Sequence, residues 1–256
     1  MSSGADRAGV TSVKSIEKAF AVLEAFGGRD RSLSLGELAR VSNLDKSSVQ
    51  RMTRTLLGLG YLEQDPSSRQ YFLGARVLDL SFTFLRAHPL VQRATGVLVE
   101  LRRVVGERVD LVLPDGDTVV YVVRMQAKRE TFKPALIGRR VPMFCTAAGR
   151  AILAQGNDAE ALEVIRRSDR QAYTPFTKTD PSAILEEVRR ARGDGYGVQA
   201  QEWLPAEMVA AAAVLNPQGE PVAAVNIAAS AADWSVADFR RGVASRLMAA
   251  AAELSG

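Results

Sequence analysis

The chain has 256 residues, of which 47% are hydrophobic and 24% are charged, and its formal net charge is +4. This length exceeds one typical domain and accommodates two, each with a sizeable core. A single cysteine excludes an internal disulfide, and the single histidine leaves too few ligands for a zinc site. No apolar run reaches the roughly 18 residues of a membrane span. We expect a cytoplasmic protein without cofactor or metal.

The N-terminal part of the sequence predicts a tail and one helix. Residues 1–12 are small and polar and lack the apolar core of a signal peptide, so we expect a disordered tail. Residues 12–26 carry apolar side chains at helical spacing, which predicts an amphipathic helix with one buried stripe. The predicted stripe consists of Ile16, Phe20, Leu23 and Phe26.

Two further helices are predicted from their starting residues. Ser34 and Glu37 form a capping-box pattern at the start of a helix over residues 35–41. Asp45 is a suitable N-cap for a third helix that runs to about Leu59. The short polar turn between these helices favours a helix-turn-helix arrangement.

A hairpin is predicted after the third helix. Residues 61–64 and 70–73 are typical of short strands, and the intervening residues 65–69 are rich in turn formers. Three helices followed by a hairpin indicate a winged helix-turn-helix domain, which we place at residues 13–74. The alternative is a small helical domain without a DNA function.

The third predicted helix has two chemically distinct faces. At helical spacing, polar and basic side chains share one face and apolar side chains share another. The polar face carries Ser47, Gln50, Arg51 and Arg54, and the apolar face carries Val49, Met52, Leu56 and Leu59. After Asp45 no carboxylate occurs until Glu63, whereas a solvated surface helix normally mixes acids with its bases. Donors that can reach phosphates and base edges therefore indicate DNA binding.

Residues 75–87 predict a helix that is apolar on several sides and that ends at His88-Pro89. Its large apolar residues are Val77, Leu78, Leu80, Phe82, Phe84 and Leu85. Such a helix at a domain boundary requires a partner, and we expect that partner to be its own copy in a dimer. Residues 75–89 are therefore assigned as a linker helix.

Residues 90–256 predict a second domain. A helix over 90–105 is followed by two strands around the turn Pro114–Asp117. Further helices are predicted over 146–154, 159–167, 181–192 and 236–254, and further strands over 198–202, 209–215 and 222–228. Paired strands with helices between them, and without a βαβ rhythm, predict an α+β fold with helices on the faces of a sheet.

Five sequence phrases occur in order along the chain. They are LSLGELARVSNLDKSSVQRMTRTLLGLGYLEQD, YFLGARVLDL, GRRVPMFCTAAGRAILA, YTPFTKTDPSAILEEVRRARGDGYGV and PVAAVNIAAS. With these phrases the chain resembles the IclR family of bacterial transcriptional regulators from about Val13 to Leu254. The resemblance implies an N-terminal winged helix, a linker helix and a C-terminal effector-binding domain of GAF-like fold. It also implies a homodimer, or a homotetramer as a dimer of dimers, on a palindromic double-stranded DNA operator.

The resemblance places the DNA-contacting residues on the third helix and the wing. The positions are Lys46, Ser47, Ser48, Gln50, Arg51, Arg54 and Arg69. Arg51 and Gln50 are the better base readers, because arginine pairs with guanine and glutamine with adenine through two hydrogen bonds. We expect Lys46, Ser47 and Arg54 to hold phosphates and the wing arginine to reach the backbone or the adjacent minor groove. A merely solvated role is the alternative, and it is strongest for the second serine and the wing arginine.

The resemblance also places an effector site along the VPMFCTAAG segment and the strands near GYGVQAQEW and AAVNIAAS. The candidate residues are Met143, Cys145, Thr146, Ala147, Gln199, Val209, Asn226 and Ala228. Gln199 stands where the family often has an acidic residue, and Val209 ends a stretch where it often has G-x-R-C. Neutral donors, including a helix N-terminus near Thr146, favour a small organic molecule such as an aromatic or carboxylic acid. The alternative is that these polar groups complete hydrogen bonds of the fold.

Cys145 has two interpretations. It precedes a predicted helix N-terminus, which can lower the pKa of a thiol. As a nucleophile it would need a base, but the only histidine, His88, lies in the predicted interdomain connection. We therefore expect a small residue in a pocket wall, and a redox-sensing thiol is the alternative.

An effector-responsive transcription factor is the leading interpretation, in which an effector biases the two winged helices of a dimer. Repressor and activator use the same contacts, so the sequence does not separate them. An enzyme is the second candidate, but the carboxylates form no recognisable acid–base pair, and the sequence lacks a phosphate loop, a nucleophile elbow and a metal quartet. A sensor or scaffold without DNA binding is the third candidate, which the intact basic helix disfavours.

Overall fold

The structure is a computed structural model, and it describes residues 13–27, 32–127 and 137–256. The chain divides into two compact units, one that ends at Arg86 and one that runs from Ala87 to Gly256. The predicted tail at residues 1–12 lies outside the described residues. None of the helices in the described ranges has the length and apolar character needed to cross a membrane.

The N-terminal unit has the predicted order of helices followed by a hairpin. Its elements are α1 (Lys14–Glu24, followed by a 3₁₀ turn over Ala25–Gly27), α2 (Leu35–Val41), α3 (Lys46–Gly58), β1 (Leu62–Gln64), β2 (Tyr71–Leu73) and α4 (Val77–Ala87). The two strands are antiparallel, with Glu63 opposite Phe72. The arrangement of three helices and a two-stranded wing confirms the winged helix-turn-helix prediction.

Ser34 and Asp45 begin α2 and α3, as the sequence predicts. The Ser34 hydroxyl accepts a hydrogen bond from the Glu37 backbone N–H at 3.3 Å, and the Glu37 carboxylate accepts one from the Ser34 backbone N–H at 2.7 Å. The Asp45 carboxylate accepts a hydrogen bond from the Ser48 backbone N–H at 2.8 Å. These bonds satisfy N–H groups that have no partner within their own helix.

The prediction of a continuous buried stripe along α1 is wrong at two positions. Ile16 is 55% exposed and Phe20 is 54% exposed, whereas Val22 is fully buried. Val22 belongs to the core of this unit together with Leu38 and Val49. Helical spacing correctly predicts an amphipathic helix here, but part of its apolar surface is not covered by the described residues of the unit.

Helix α4 is apolar on several sides, as predicted, and none of its residues is buried. Its exposed large apolar side chains are Leu78, Leu80, Phe82 and Phe84. Burial of apolar surface is the main favourable term in folding and association, so a helix of this kind is expected to be covered in the functional assembly.

The C-terminal unit is built on a six-stranded antiparallel sheet in the order β5-β4-β3-β8-β7-β6. The strands are β3 (Arg108–Asp115), β4 (Thr118–Met125), β5 (Arg140–Pro142), β6 (Gly197–Ala200), β7 (Glu207–Leu215) and β8 (Pro221–Ser230). Strand β5 is missing from the sequence prediction, because three residues at a sheet edge are too few to show alternation. The other strands agree with the prediction to within a few residues.

Helices cover both faces of this sheet. They are α5 (Pro89–Val105), α6 (Ala147–Leu153), α7 (Asp158–Arg167), α8 (Pro181–Asp194) and α9 (Val236–Leu254). Helix α6 packs on the face that contains Val112, Val209 and Ala224. Alternate residues such as Leu111 and Ile227 point to the opposite face, where α5 and α9 pack. The predicted α+β class is confirmed.

Candidate functional sites

Helix α3 presents its polar face to solvent and its apolar face to the core of the N-terminal unit. Val49 and Leu56 are buried, whereas Leu59, which was predicted on the apolar face, follows the helix and is 47% exposed. Five of the predicted DNA-contacting residues are exposed on this helix: Lys46, Ser47, Gln50, Arg51 and Arg54. The sequence of α3 contains no carboxylate, so this face carries uncompensated positive charge.

Ser48 differs from its neighbours, because it is only 1% exposed. Its hydroxyl accepts hydrogen bonds from Lys18 Nζ at 2.9 Å and from Arg51 Nη2 at 3.4 Å. The DNA contact of Ser48 therefore stays a prediction, and the structure shows that its hydroxyl is already used in hydrogen bonds within the protein. Its burial follows from the packing of α1 on α3, which places Ser48 beneath two cationic side chains.

Lys18 is a candidate that the sequence analysis missed. It lies on α1, far from the third helix in sequence, and the packing of α1 on α3 brings its ammonium group to the start of α3. Hydrogen bonds from Ser47 and Ser48 hold the pKa of the nearby Asp45 carboxyl well below its usual range. No local pattern marks Lys18, because its position depends on a contact between two helices.

The wing presents Arg69 on an exposed turn with a left-handed backbone conformation (φ 60°). The turn is fixed by the Asp65 carboxylate, which accepts hydrogen bonds from the backbone N–H groups of Ser67 at 2.9 Å and Ser68 at 2.6 Å. These contacts, with the Ser67 hydroxyl bond as the largest cause, lower the pKa of Asp65 to about 2. The arginine is thus held at the end of the hairpin.

A small cavity lies in the C-terminal unit between α6 and the sheet. Five of the predicted effector residues line it: Thr146, Ala147, Gln199, Val209 and Asn226. Met143, Cys145 and Ala228 do not line it and lie instead in the surrounding core. Its volume is about 10 Å³, which is room for about one water molecule. A ligand of several atoms would require this cavity to open.

Two of the predicted polar contacts already take part in hydrogen bonds of the fold. The Thr146 hydroxyl donates to the Pro142 carbonyl at 2.8 Å and accepts from the Gly149 N–H at 3.3 Å. The Gln199 side-chain oxygen accepts from the Glu202 N–H at 2.9 Å. Asn226 differs, because its side-chain oxygen is buried without a hydrogen-bond partner.

Trp203 forms part of the cavity wall and was not predicted. The Tyr173 ring contacts it edge-on with 4.3 Å between centroids, and the Arg139 guanidinium lies 5.5 Å from its ring centroid. The preceding residue is held by a buried ion pair, in which Arg150 donates to both carboxylate oxygens of Glu202 at 2.8 and 2.7 Å. The buried ion pair therefore fixes the backbone next to Trp203, and the Trp203 side chain gives the cavity an aromatic wall.

A buried group of charges adjoins the cavity. Arg108 Nε donates to Asp110 at 3.0 Å, and Arg108 Nη1 donates at 2.7 Å to Glu207, a cavity-lining residue. Burial raises the pKa of Asp110 to about 6, against the opposing attraction of Arg108 and Arg124. The expectation of a pocket with only neutral polar groups is therefore incomplete. The period of two along β3 is the signal that could have shown Arg108 and Asp110 on one face.

Cys145 is fully buried, and burial raises the pKa of its thiol to about 12. Its position before the Thr146 N-cap does not lower that pKa, because loss of solvation is the larger effect. Across the described part of the chain, no group of three or more His, Cys, Asp or Glu residues is arranged to hold a metal ion.

Both units match known family models. Residues 15–66 match the IclR helix-turn-helix domain, and residues 82–256 match the bacterial transcriptional regulator IclR C-terminal domain. The chain is 32% identical over 217 residues to the glycerol operon regulatory protein of Streptomyces coelicolor, and the match covers 84% of each protein.

Two solved structures show the same fold. The IclR transcriptional regulator from Alicyclobacillus acidocaldarius matches with a TM-score of 0.82 and 25% identity, over 95% of this chain and 98% of that one. An IclR homolog from Microbacterium hydrocarbonoxydans, complexed with 4-hydroxybenzoate, matches with a TM-score of 0.75 and 21% identity, over 94% and 97%. The latter likeness concerns the fold alone.

A winged helix-turn-helix unit together with a curled sheet unit of this type defines a class of DNA-binding transcriptional regulators with a C-terminal ligand-binding domain. The chain belongs to the IclR family of bacterial transcriptional regulators. Its matched relatives are regulators and not enzymes.

Proposed function

We propose that this protein is an effector-responsive regulator in which two copies bind a palindromic operator through α3. A small organic molecule bound in the C-terminal cavity changes this binding by favouring one arrangement of the two winged helices. The observation that carries the proposal is the exposed face of α3, which combines Gln50 and Arg51 with two further cations and no carboxylate.

The side chains on this face divide into base readers and phosphate contacts. Arg51 and Gln50 lie in the middle of the exposed face and offer the paired donors and acceptors that guanine and adenine present in the major groove. Lys46 and Arg54, which form no ion pair with any described residue, are suited to phosphates. Lys18 on α1 adds a third phosphate contact. The Ser48 hydroxyl accepts a hydrogen bond from the Lys18 ammonium group and so holds it in position.

Loss of the base contact can be measured by mobility shift on the protein's own upstream region. We expect Arg51→Ala to weaken binding by about 10- to 100-fold, because a bidentate base contact is worth roughly 1–3 kcal/mol. Arg103→Ala is the matched control, because Arg103 is an exposed arginine paired with Glu100 on α5. Unchanged affinity of Arg51→Ala would contradict its role as a base reader.

The dimer is supported by exposed apolar surface on α1 and α4. Ile16 and Phe20 on α1 and Phe82 on α4 are each more than half exposed. Two winged helices related by a two-fold axis would match the two half-sites of a palindrome. In sedimentation, we expect the wild type to be at least dimeric and Phe82→Glu to shift it toward smaller species, because a charge would be buried without a partner. A wild-type monomer would contradict the dimer.

The effector role is supported by the cavity and its aromatic wall. A small organic ligand is in keeping with the 4-hydroxybenzoate bound in the Microbacterium homolog. The protein contains two tryptophans, so Trp234→Phe leaves Trp203 in the cavity wall as the only fluorescent indole. If the cavity opens to admit a ligand, the small organic molecule that binds there is expected to change this fluorescence and the operator affinity together. Operator affinity that no small molecule in a broad metabolite panel changes would contradict the effector role.

A further inference from the structure

Three neighbouring side chains cross the sheet in one row. Asp110 on β3 is the cross-strand partner of Arg124 on β4 and of Asn226 on β8. Each contributes buried polar atoms without a hydrogen-bond partner, namely Arg124 Nε and Nη1, Asp110 Oδ1 and Asn226 Oδ1. Protein interiors leave few such atoms unsatisfied, because each costs free energy. Their concentration in one row, next to the cavity that Asn226 lines, points to a ligand.

The spacing of these atoms indicates which chemical group is missing. Arg124 Nη1 and Asp110 Oδ1 are 3.9 Å apart, which is too far for a direct hydrogen bond. One oxygen atom offset from the line that joins them could lie about 2.8 Å from each and form a hydrogen bond with both. A hydroxyl suits this position, because it can accept from the guanidinium and donate to the carboxylate at the same time. A second hydroxyl on the adjacent carbon could donate to the Asn226 oxygen.

The charges around the row favour a neutral group over an ion. Two guanidinium groups, Arg108 and Arg124, lie beside two carboxylates, Asp110 and Glu207. A ligand carboxylate would be attracted to Arg108 and Arg124 but repelled by Asp110 and Glu207. An ammonium group would meet the opposite conflict with the two arginines. A hydroxyl avoids both conflicts and uses the unpaired donor and the unpaired acceptors.

We propose that Arg124, Asp110 and Asn226 form a subsite for the adjacent hydroxyl groups of an uncharged polyol, a sugar or a hydroxylated ring. The inference rests on the proposed function, since it assumes that the C-terminal cavity is the effector site. It places the polar end of the effector on the sheet and its carbon skeleton toward Trp203, which lines the same cavity.

Compounds that share one cyclohexane ring and differ in their polar groups test the chemistry directly. Calorimetry on the full-length protein would compare cis-1,2-cyclohexanediol with cyclohexanol, cyclohexanecarboxylate and cyclohexylamine. We expect the diol to bind at least about 10-fold more tightly than each of the other three. The diol alone has a second hydroxyl for the Asn226 oxygen, which cyclohexanol lacks, and it avoids the charge conflict of the carboxylate and the amine. Binding of the diol that is absent, or no tighter than that of the carboxylate or amine, overturns the subsite.

Two variants separate a ligand subsite from a structural network filled by water. Asn226→Leu and Arg124→Met each remove unpaired polar atoms while keeping much of the side-chain shape. We expect the melting temperature without ligand to be unchanged or raised in Asn226→Leu and lowered in Arg124→Met, because the latter takes a neighbouring positive charge from the buried Asp110. The diol affinity should fall about 10-fold in both variants. Arg103→Gln, on the surface of α5, should change neither. A lowered melting temperature with unchanged diol affinity would show a structural role and overturn the proposal.

The same samples distinguish failure of the subsite from failure of the proposed function. If cyclohexanecarboxylate alters operator binding and the diol neither binds nor alters it, the subsite is wrong and the regulator remains effector-responsive. If the diol binds as expected and no small molecule alters operator binding, the subsite is retained and the effector role is wrong.

Discussion

The exposed face of α3 and the interior of the C-terminal unit both contain arginine side chains, but in opposite environments. On α3, Lys46 and Arg54 extend into solvent and form no ion pair with the described residues. In the C-terminal unit, Arg108 and Arg150 are buried, and each is paired with a carboxylate. Charge left unpaired at a surface is available to an outside polyanion, whereas charge inside a protein must be balanced by its neighbours.

The buried Arg150–Glu202 pair offers the largest expected effect. We expect Arg150→Met to lower the free energy of unfolding by about 3–5 kcal/mol, because it leaves the Glu202 carboxylate buried without its main partner. Arg54→Met on the exposed face of α3 is the matched control, and its cost should stay within about 0.5 kcal/mol. Urea unfolding of both variants would measure this difference. Equal decreases in the free energy of unfolding would contradict the contrast between the two regions.

The row at Asp110 provides a smaller effect that depends on pH. Burial raises the pKa of Asp110 to about 6 in the folded protein, above the ordinary value of 3.8. Folding therefore favours the protonated form, so the stability from this group is complete below about pH 4 and is lost as pH rises through 6.

Melting temperatures measured between pH 8 and pH 4 would show this titration. Asp110→Asn cannot titrate, so any stability advantage of the variant over the wild type should be largest near pH 8 and should shrink as the pH falls. A difference that stays constant across this range, or grows toward acid pH, would contradict the raised pKa.

Cys145 provides the smallest expected effect. Its thiol is buried and its pKa is raised to about 12, so little thiolate is present at neutral pH. We expect the native protein to react with a thiol reagent far more slowly than the unfolded protein, and peroxide to leave operator binding of wild type and Cys145→Ser alike. Peroxide sensitivity that Cys145→Ser abolishes would restore the redox interpretation.

The parts of the fold that depend on local sequence were predictable. The Ser34–Glu37 capping box and the Asp45 N-cap are determined by residues within one helical turn. The last helix also begins and ends where its pattern predicts, at Val236–Leu254. Each of these features rests on contacts between residues that are close in the chain, which a sequence pattern records directly.

The features that the sequence did not predict depend on contacts between distant residues. Lys18 reaches α3 only because two helices pack, and the α1 stripe was expected to be buried although Ile16 and Phe20 remain exposed. Arg108 and Asp110 alternate with apolar residues and would ordinarily be placed on a solvated face. Helices cover both faces of this sheet, so these charges are buried and must pair with residues from other strands.

The most direct test of the account is operator affinity measured across a range of salt concentrations. We expect the logarithm of the association constant to fall linearly with the logarithm of salt concentration. Lys46→Ala should reduce the slope by about 1 on every sequence, and Arg51→Ala should reduce the preference for operator over unrelated DNA. An operator affinity that does not change with salt concentration, and that is the same for both variants and the wild type, would contradict the assignment of α3 as the DNA-reading helix.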